Sequence, residues 1–188
     1  MMNRTYVCLV VLLVGLFSGF DVPKLTKVEL APGVKASLPA TFVPMTDDDI
    51  AKRYFTFRKP VAMYTSPDHS ADFGFNISNS RWRDSDLPMA KDFYLSTIQT
   101  MYTKVDFTQK GTLQTVNKRS FAVFEFVSEV VDDDPQSMTK GTVTRQYSYI
   151  QYTLRNGQAL IFNFTCPARA REKWQATAQA VMKTVRVK

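Results

Sequence analysis

The sequence predicts an α+β domain in which helices pack on the faces of an antiparallel β-sheet. Three observations carry this prediction. Thr142 to Leu154 and Gln158 to Cys166 flank Asn156-Gly157, the strongest two-residue hairpin signal, because both central positions need positive φ. Arg119 to Val131 reads as a long strand with apolar residues on both faces, Phe121, Val123 and Val127 against Ala122, Phe124 and Phe126. Two further segments, one beginning near Leu87 and one at Pro167, repeat apolar residues at helical spacing. An antiparallel hairpin that is apolar on both faces must be covered on both sides, and two helices supply that cover.

The chain opens on an export signal. Met1 to Tyr6 carry one fixed charge, Arg4, and Val7 to Phe20 then run without any (VCLVVLLVGLFSGF). Fourteen apolar-run residues fall short of the roughly 20 that a membrane-spanning helix needs. The small residues Ser18 and Gly19 sit among bulky ones, so an uncleaved N-terminal anchor stays open beside a cleaved signal. Cys8 lies inside the run behind Thr5-Tyr6-Val7, which is no lipidation box. Residues 21–27 (DVPKLTK) read as a linker and 28–188 as one domain. An exported chain is removed from cytosolic metabolism, nucleotide-driven switching and gene regulation.

Val28 to Leu38 reads as strand, turn and strand, broken at Pro32-Gly33 and stopped by Pro39. Asp47, Asp48 and Asp49 lack the alternate spacing and the glycine of a calcium loop, so they read as helix-start or loop charges. Val61 to Thr65 and Asp72 to Ile77 form a hairpin around Ser66 to Ser70. That turn holds His69, the only histidine, with no cysteine or second histidine to share a zinc ion and no nucleophile elbow nearby. The helix from about Leu87 to Tyr102 starts at Asp86 and Pro88 and carries Ala90, Tyr94, Ile98 and Met101 on its apolar stripe, widened by Phe93 and Tyr102. Val105 to Val116 continues as extended chain interrupted at Gly111, and Asn117-Lys118 turns it into the strand from Arg119. Asp132-Asp133-Asp134-Pro135 is a solvated connection.

In the closing hairpin, pairing Arg155 with Gln158 sets the register. It puts Tyr147, Tyr149, Phe162, Phe164 and Cys166 on one face and Ile150, Tyr152, Leu154 and Ile161 on the other. Pro167 then starts a final helix with the stripe Ala170, Trp174, Ala178, Val181 and Val185. Cys166, alone beyond the signal, makes no intramolecular disulfide and reads as a small buried hydrophobe.

Net charge is +7, and residues 168–188 hold six cations against Glu172 alone. Lys183 and Arg186 suit the negative end of the last helix. Arg169 and Arg171 lie at its positive end, where cations are mildly unfavourable and need an anionic counterpart. An internal carboxylate such as Glu125 or Glu129 could supply it, or an external one on a partner protein or lipid surface. Arg169, Arg171 and Lys173 are therefore the candidate contacts with an anionic surface, and no motif supports nucleic acid, metal or cofactor binding.

The runs VELAPGVKASLP, MYTSPDHSADFGFNIS, NKRSFAVFEFVSE and YTLRNGQALIFNFTCPARAREKWQATAQAVMKTV, with the helix after DLPMAKDFY, resemble the PsbP-like superfamily over about residues 28–187. That family includes the photosystem II extrinsic subunit and a Ran-binding nuclear import factor. The resemblance implies a PsbP-like α/β/α sandwich and a mostly non-enzymatic role in docking on larger assemblies; it carries no family functional residue onto a numbered position. A helix-grip domain is the alternative fold, though it places a helix pair after its first strand, where only residues 45–52 are available. The expected function is a non-catalytic extracytoplasmic binding or assembly module. The alternative is a small-ligand carrier or enzyme with a pocket lined by Trp82, Tyr147, Tyr149 and Tyr152. A closed core favours the first and a deep pocket with converging polar groups the second.

Overall fold

A tight strand pair opens the domain. β1 (Leu25–Ala31) and β2 (Val34–Pro39) are antiparallel, and the last two-residue strand, β10 (Arg186–Val187), returns to β2 to complete a three-stranded sheet. The computed structural model describes residues 22–54, 59–78, 81–133 and 136–188, so the segment read as an export signal or anchor lies outside the described residues. β1 begins three residues inside the stretch expected to be linker. Leu25, Thr26 and Lys27 pair with Pro39, Leu38 and Ser37, and this edge strand is held by backbone pairing more than by burial.

The main sheet has seven strands: β3 (Val43–Pro44), β4 (Ala62–Thr65), β5 (Asp72–Ser78), β6 (Lys104–Val116), β7 (Arg119–Val131), β8 (Val143–Arg155) and β9 (Gln158–Pro167). They are ordered β3-β4-β5-β9-β8-β7-β6 and pair antiparallel throughout. Arg155 faces Gln158 across the Asn156-Gly157 turn, where φ is +54° and +76°. The register therefore places the side chains as expected. Tyr147, Tyr149, Phe162, Phe164 and Cys166 join one core cluster, and Tyr152 and Leu154, with Ile150 and Ile161 against them, join another on the opposite face.

α1 (Asp47–Arg53) is a short helix whose first turn is the aspartate triplet. Thr46 caps it, exchanging hydrogen bonds with Asp49 in a capping box. α2 (Leu87–Met101) lies on one face of the main sheet, burying Leu87, Ala90, Tyr94 and Ile98. Its buried stripe is narrower than expected. Tyr94 stacks on Tyr152 with centroids 3.9 Å apart and fills the contact, while Phe93 and Met101 remain 54 % and 65 % exposed.

α3 (Arg171–Lys183) lies on the other face and buries Trp174, Ala178 and Val181 as expected, with Thr177 and Met182. The helix stops at Thr184, whose Oγ1 accepts from Ser37 N at 2.7 Å and donates to Val181 O at 2.6 Å. The chain then enters β10, so Arg186 belongs to a strand and only Lys183 sits in the helix's last turn.

The register gathers one end of the main sheet. Asp72 faces Thr165, Thr165 faces Ser148, Gln146 faces both Ser128 and Pro167, and Val105 faces Ser128. The β4–β5 turn, the starts of β6 and β8, the ends of β7 and β9, and the first turn of α3 thus meet at this end.

Candidate functional site

Pro167 has no backbone N–H to extend a ladder, and the chain leaves β9 there. A single 3₁₀ turn, Ala168–Ala170, leads into α3. Ala170 occupies the helix N-cap, so no side chain answers the first-turn N–H groups and the positive helix end stays open. Three arginines surround that end. Arg169 is exposed and makes no ion pair or hydrogen bond among the described residues. Arg171 donates from Nε to Gln175 Oε1 at 3.0 Å and from Nη2 to Thr108 Oγ1 at 3.1 Å, and its guanidinium lies 5.6 Å from the Tyr147 ring centroid. Arg145, at the start of β8, has Nε 3.4 Å from Glu129.

Lys173, the third predicted contact, is engaged elsewhere. Its ammonium sits 2.8 Å from Asp68 and 4.7 Å from the Trp174 ring centroid. Lys173, with the Ser66 and Ser70 hydroxyls, holds the Asp68 carboxyl well below the usual carboxylate range.

Neither carboxylate considered as an internal partner meets Arg169 or Arg171. Glu129 pairs with Arg145. Glu125 is fully buried between the sheet and α3, where only neutral donors reach it. Tyr147 Oη donates at 2.9 Å, Gln175 Nε2 at 2.6 Å, Gln109 Nε2 at 3.0 Å and Gln179 Nε2 at 3.1 and 3.2 Å. Arg171 reaches this carboxylate only through the Gln175 amide, which accepts from the arginine and donates to Glu125. Burial, then Glu125, raises the Tyr147 hydroxyl far above the ordinary tyrosine range, so it stays a protonated donor.

Around these arginines runs a groove of about 710 Å³. It is lined by the apolar side chains of Val127, Val143 and Pro167 together with Arg145, Arg169 and Arg171. Asp106 lies across from them, itself 3.4 Å from Lys104. Sequence reasoning missed Arg145. The signal was present: the Arg155–Gln158 register set by Asn156-Gly157, carried down the hairpin, pairs Gln146 with Pro167 and so brings Arg145 to the start of the last helix.

The four aromatics expected to line a pocket do not share one. Tyr147 and Tyr149 pack on the α3 side of the sheet, Tyr152 and Trp82 on the α2 side, all within side-chain packing. Trp82 rests against Phe93, ring centroids 5.9 Å apart. His69 lies in the β4–β5 turn at φ +53°, its Nδ1 3.5 Å from Thr65 Oγ1. Among the described residues no three His, Cys, Asp or Glu side chains converge as a metal site would require.

A seven-stranded antiparallel sheet with α2 on one face, and α3 with a small sheet on the other, is the PsbP-like fold, and this chain has it. Among the solved structures that share it are the following three. Cyanobacterial PsbP (CyanoP) from Synechocystis sp. PCC 6803 superposes with a TM-score of 0.59 at 9% identity, covering 93% of this chain and 99% of that one. LpqN, involved in cell envelope biogenesis of Mycobacterium tuberculosis, gives 0.54 at 11% identity, covering 87% and 90%. The Saccharomyces cerevisiae Ran-binding protein Mog1p gives 0.50 at 11% identity, covering 88% and 96%. The likeness is one of fold. No family model matches the sequence, and no curated protein matches it.

Proposed function

We propose that this chain is a non-catalytic, extracytoplasmic binding or assembly module that engages an acidic partner protein through the groove lined by Arg145, Arg169 and Arg171. The observation that carries the reading is the charge at the start of α3. Two arginines stand at the positive end of a helix, and neither is paired to a carboxylate among the described residues. Cations so placed repel the helix dipole, and an external anion relieves that repulsion. The site is also a groove that mixes apolar side chains with the arginines, which suits an acidic chain segment better than a flat lipid surface.

The apolar run at Val7 to Phe20 supports export. The fold neighbours agree in kind: Mog1p is described as Ran-binding and LpqN as involved in envelope biogenesis. Fold analogy only supplements the charge argument.

Two measurements test the reading. Fractionation of cells expressing the full chain should place it outside the cytoplasm, and a cytoplasmic location would contradict the export part. Binding to an immobilised poly-glutamate peptide should exceed binding to phosphatidylglycerol vesicles. Binding to vesicles alone would contradict a protein partner, and binding to neither would contradict the anionic-groove reading altogether.

A further inference from the structure

A second recess opens on the other side of Arg145. It encloses about 280 Å³ between the end of α1, the β4–β5 turn and the ends of β8 and β9. Asp72 is among its lining residues and is only 5 % exposed. Its Oδ2 accepts from Arg53 Nη2 at 2.7 Å and from the Tyr54 hydroxyl. Its Oδ1 is buried and receives no hydrogen bond among the described residues. The same face of the sheet leaves a second acceptor unanswered at Asn163 Oδ1, two residues before Thr165. Buried carboxylate oxygens in native proteins nearly always have a donor, so one left open beside a ligand-sized recess points to a donor from outside.

We propose that this recess binds a small neutral polyhydroxylated molecule, of the monosaccharide or polyol class, with one ligand hydroxyl donating to Asp72 Oδ1. Charge selects the class. Arg53 already neutralises Asp72, and Arg145 also lines the recess, so an ammonium ligand would meet two guanidinium groups. An anionic ligand would face the open carboxylate oxygen. A hydroxyl group both donates and accepts. It satisfies Asp72 while its lone pairs meet Arg145, and the hydroxyls of Ser70, Thr144 and Thr165 offer further matches along the wall. The volume falls just under the roughly 300 Å³ of the smallest ordinary ligand cavities, which limits the ligand to one ring or a short polyol.

The inference does not depend on the acidic-partner reading, and the two fail separately. The test is NMR on the ¹⁵N-labelled full chain in a sugar-free detergent. Glucose, N-acetylglucosamine and myo-inositol are the probes, with acetate and ethylammonium as charged controls. At least one neutral probe should shift the Ser70, Asp72 and Thr165 amides saturably in the millimolar range. Arg145→Ala should weaken that binding about tenfold, and Asp72→Asn should abolish it. Arg169→Glu/Arg171→Glu should leave it unchanged. Should Asp72→Asn fail to fold, the Arg145→Ala comparison decides alone. The proposal is overturned if no neutral probe saturates, if a charged control binds there instead, or if Arg145→Ala binds like the native chain.

Discussion

Cys166 ends the apolar part of β9 opposite Tyr147, and burial pushes its thiol from 9 up to about 12. Burial likewise raises the Tyr149 hydroxyl from 10 to about 12. Groups that hold their protons more tightly when folded stabilise the native state until the unfolded chain begins to lose them. The contribution of these groups should therefore be level below about pH 9 and decline above it, by up to about 1.4 kcal/mol per pH unit for each such group. Urea unfolding as a function of pH checks this, and Cys166→Ala should remove the part that begins near pH 9. A thiolate-specific alkylating reagent should label Cys166 only after unfolding. Asn117 does two jobs at once. It turns the β6–β7 connection at φ +48°, and its Nδ2 donates to Lys183 O at 3.1 Å and Val185 O at 2.8 Å, closing the end of α3. Asn117→Gly should keep the turn and lose the cap, costing about 1 kcal/mol, whereas Asn117→Ala loses both and should cost more. A native melting temperature for Asn117→Gly would show that the cap contributes nothing, and equal costs for the two variants would show that the turn conformation contributes nothing.

At the scale of elements, α3 is the piece that ties the layers together. Trp174 packs against Phe42 and Phe164, centroids 5.7 and 6.1 Å away, and donates from Nε1 to Ser70 Oγ at 3.0 Å. It is 8 % exposed, and Trp174→Ala should cost about 3–5 kcal/mol; an unchanged melting temperature would show that the helix does not pack this way. This helix was legible in the sequence because its stripe recurs at 174, 178 and 181, and the final hairpin because Asn-Gly demands one turn type. Elements held by pairing alone were not legible. The first three residues of β1 are largely exposed, and β3 and β10 have two residues each, too few to show a period. The candidate site was half legible. Arg169 and Arg171 stand out because their charge opposes the helix end, a local property of the chain. Arg145 follows from carrying the Asn-Gly hairpin's register to its open end, whereas Asp72 gains its meaning from the pairing of β5 with β9, which no local pattern states.

For the whole molecule, the described elements make one α/β/α unit, with separate core clusters beneath α3 and α2 on either side of the main sheet. Among the described residues all strands and helices lie from Leu25 onward, and Ala40 N donates to Lys24 O at 2.9 Å just ahead of them. A chain beginning at Val22 should therefore fold with a single cooperative transition, whereas loss of that transition would place part of the core before residue 22. Function at this scale rests on Arg169 and Arg171 of the groove, neither of which pairs with a carboxylate among the described residues. The most direct measurement is the affinity of the full chain for a glutamate-rich peptide at about 50 mM and about 150 mM salt, for the native chain and for Arg169→Glu/Arg171→Glu. The account predicts native binding that weakens as salt rises, and a double variant that binds much more weakly at both concentrations while melting at the native temperature. Equal binding by the two chains, or binding indifferent to salt, would contradict it.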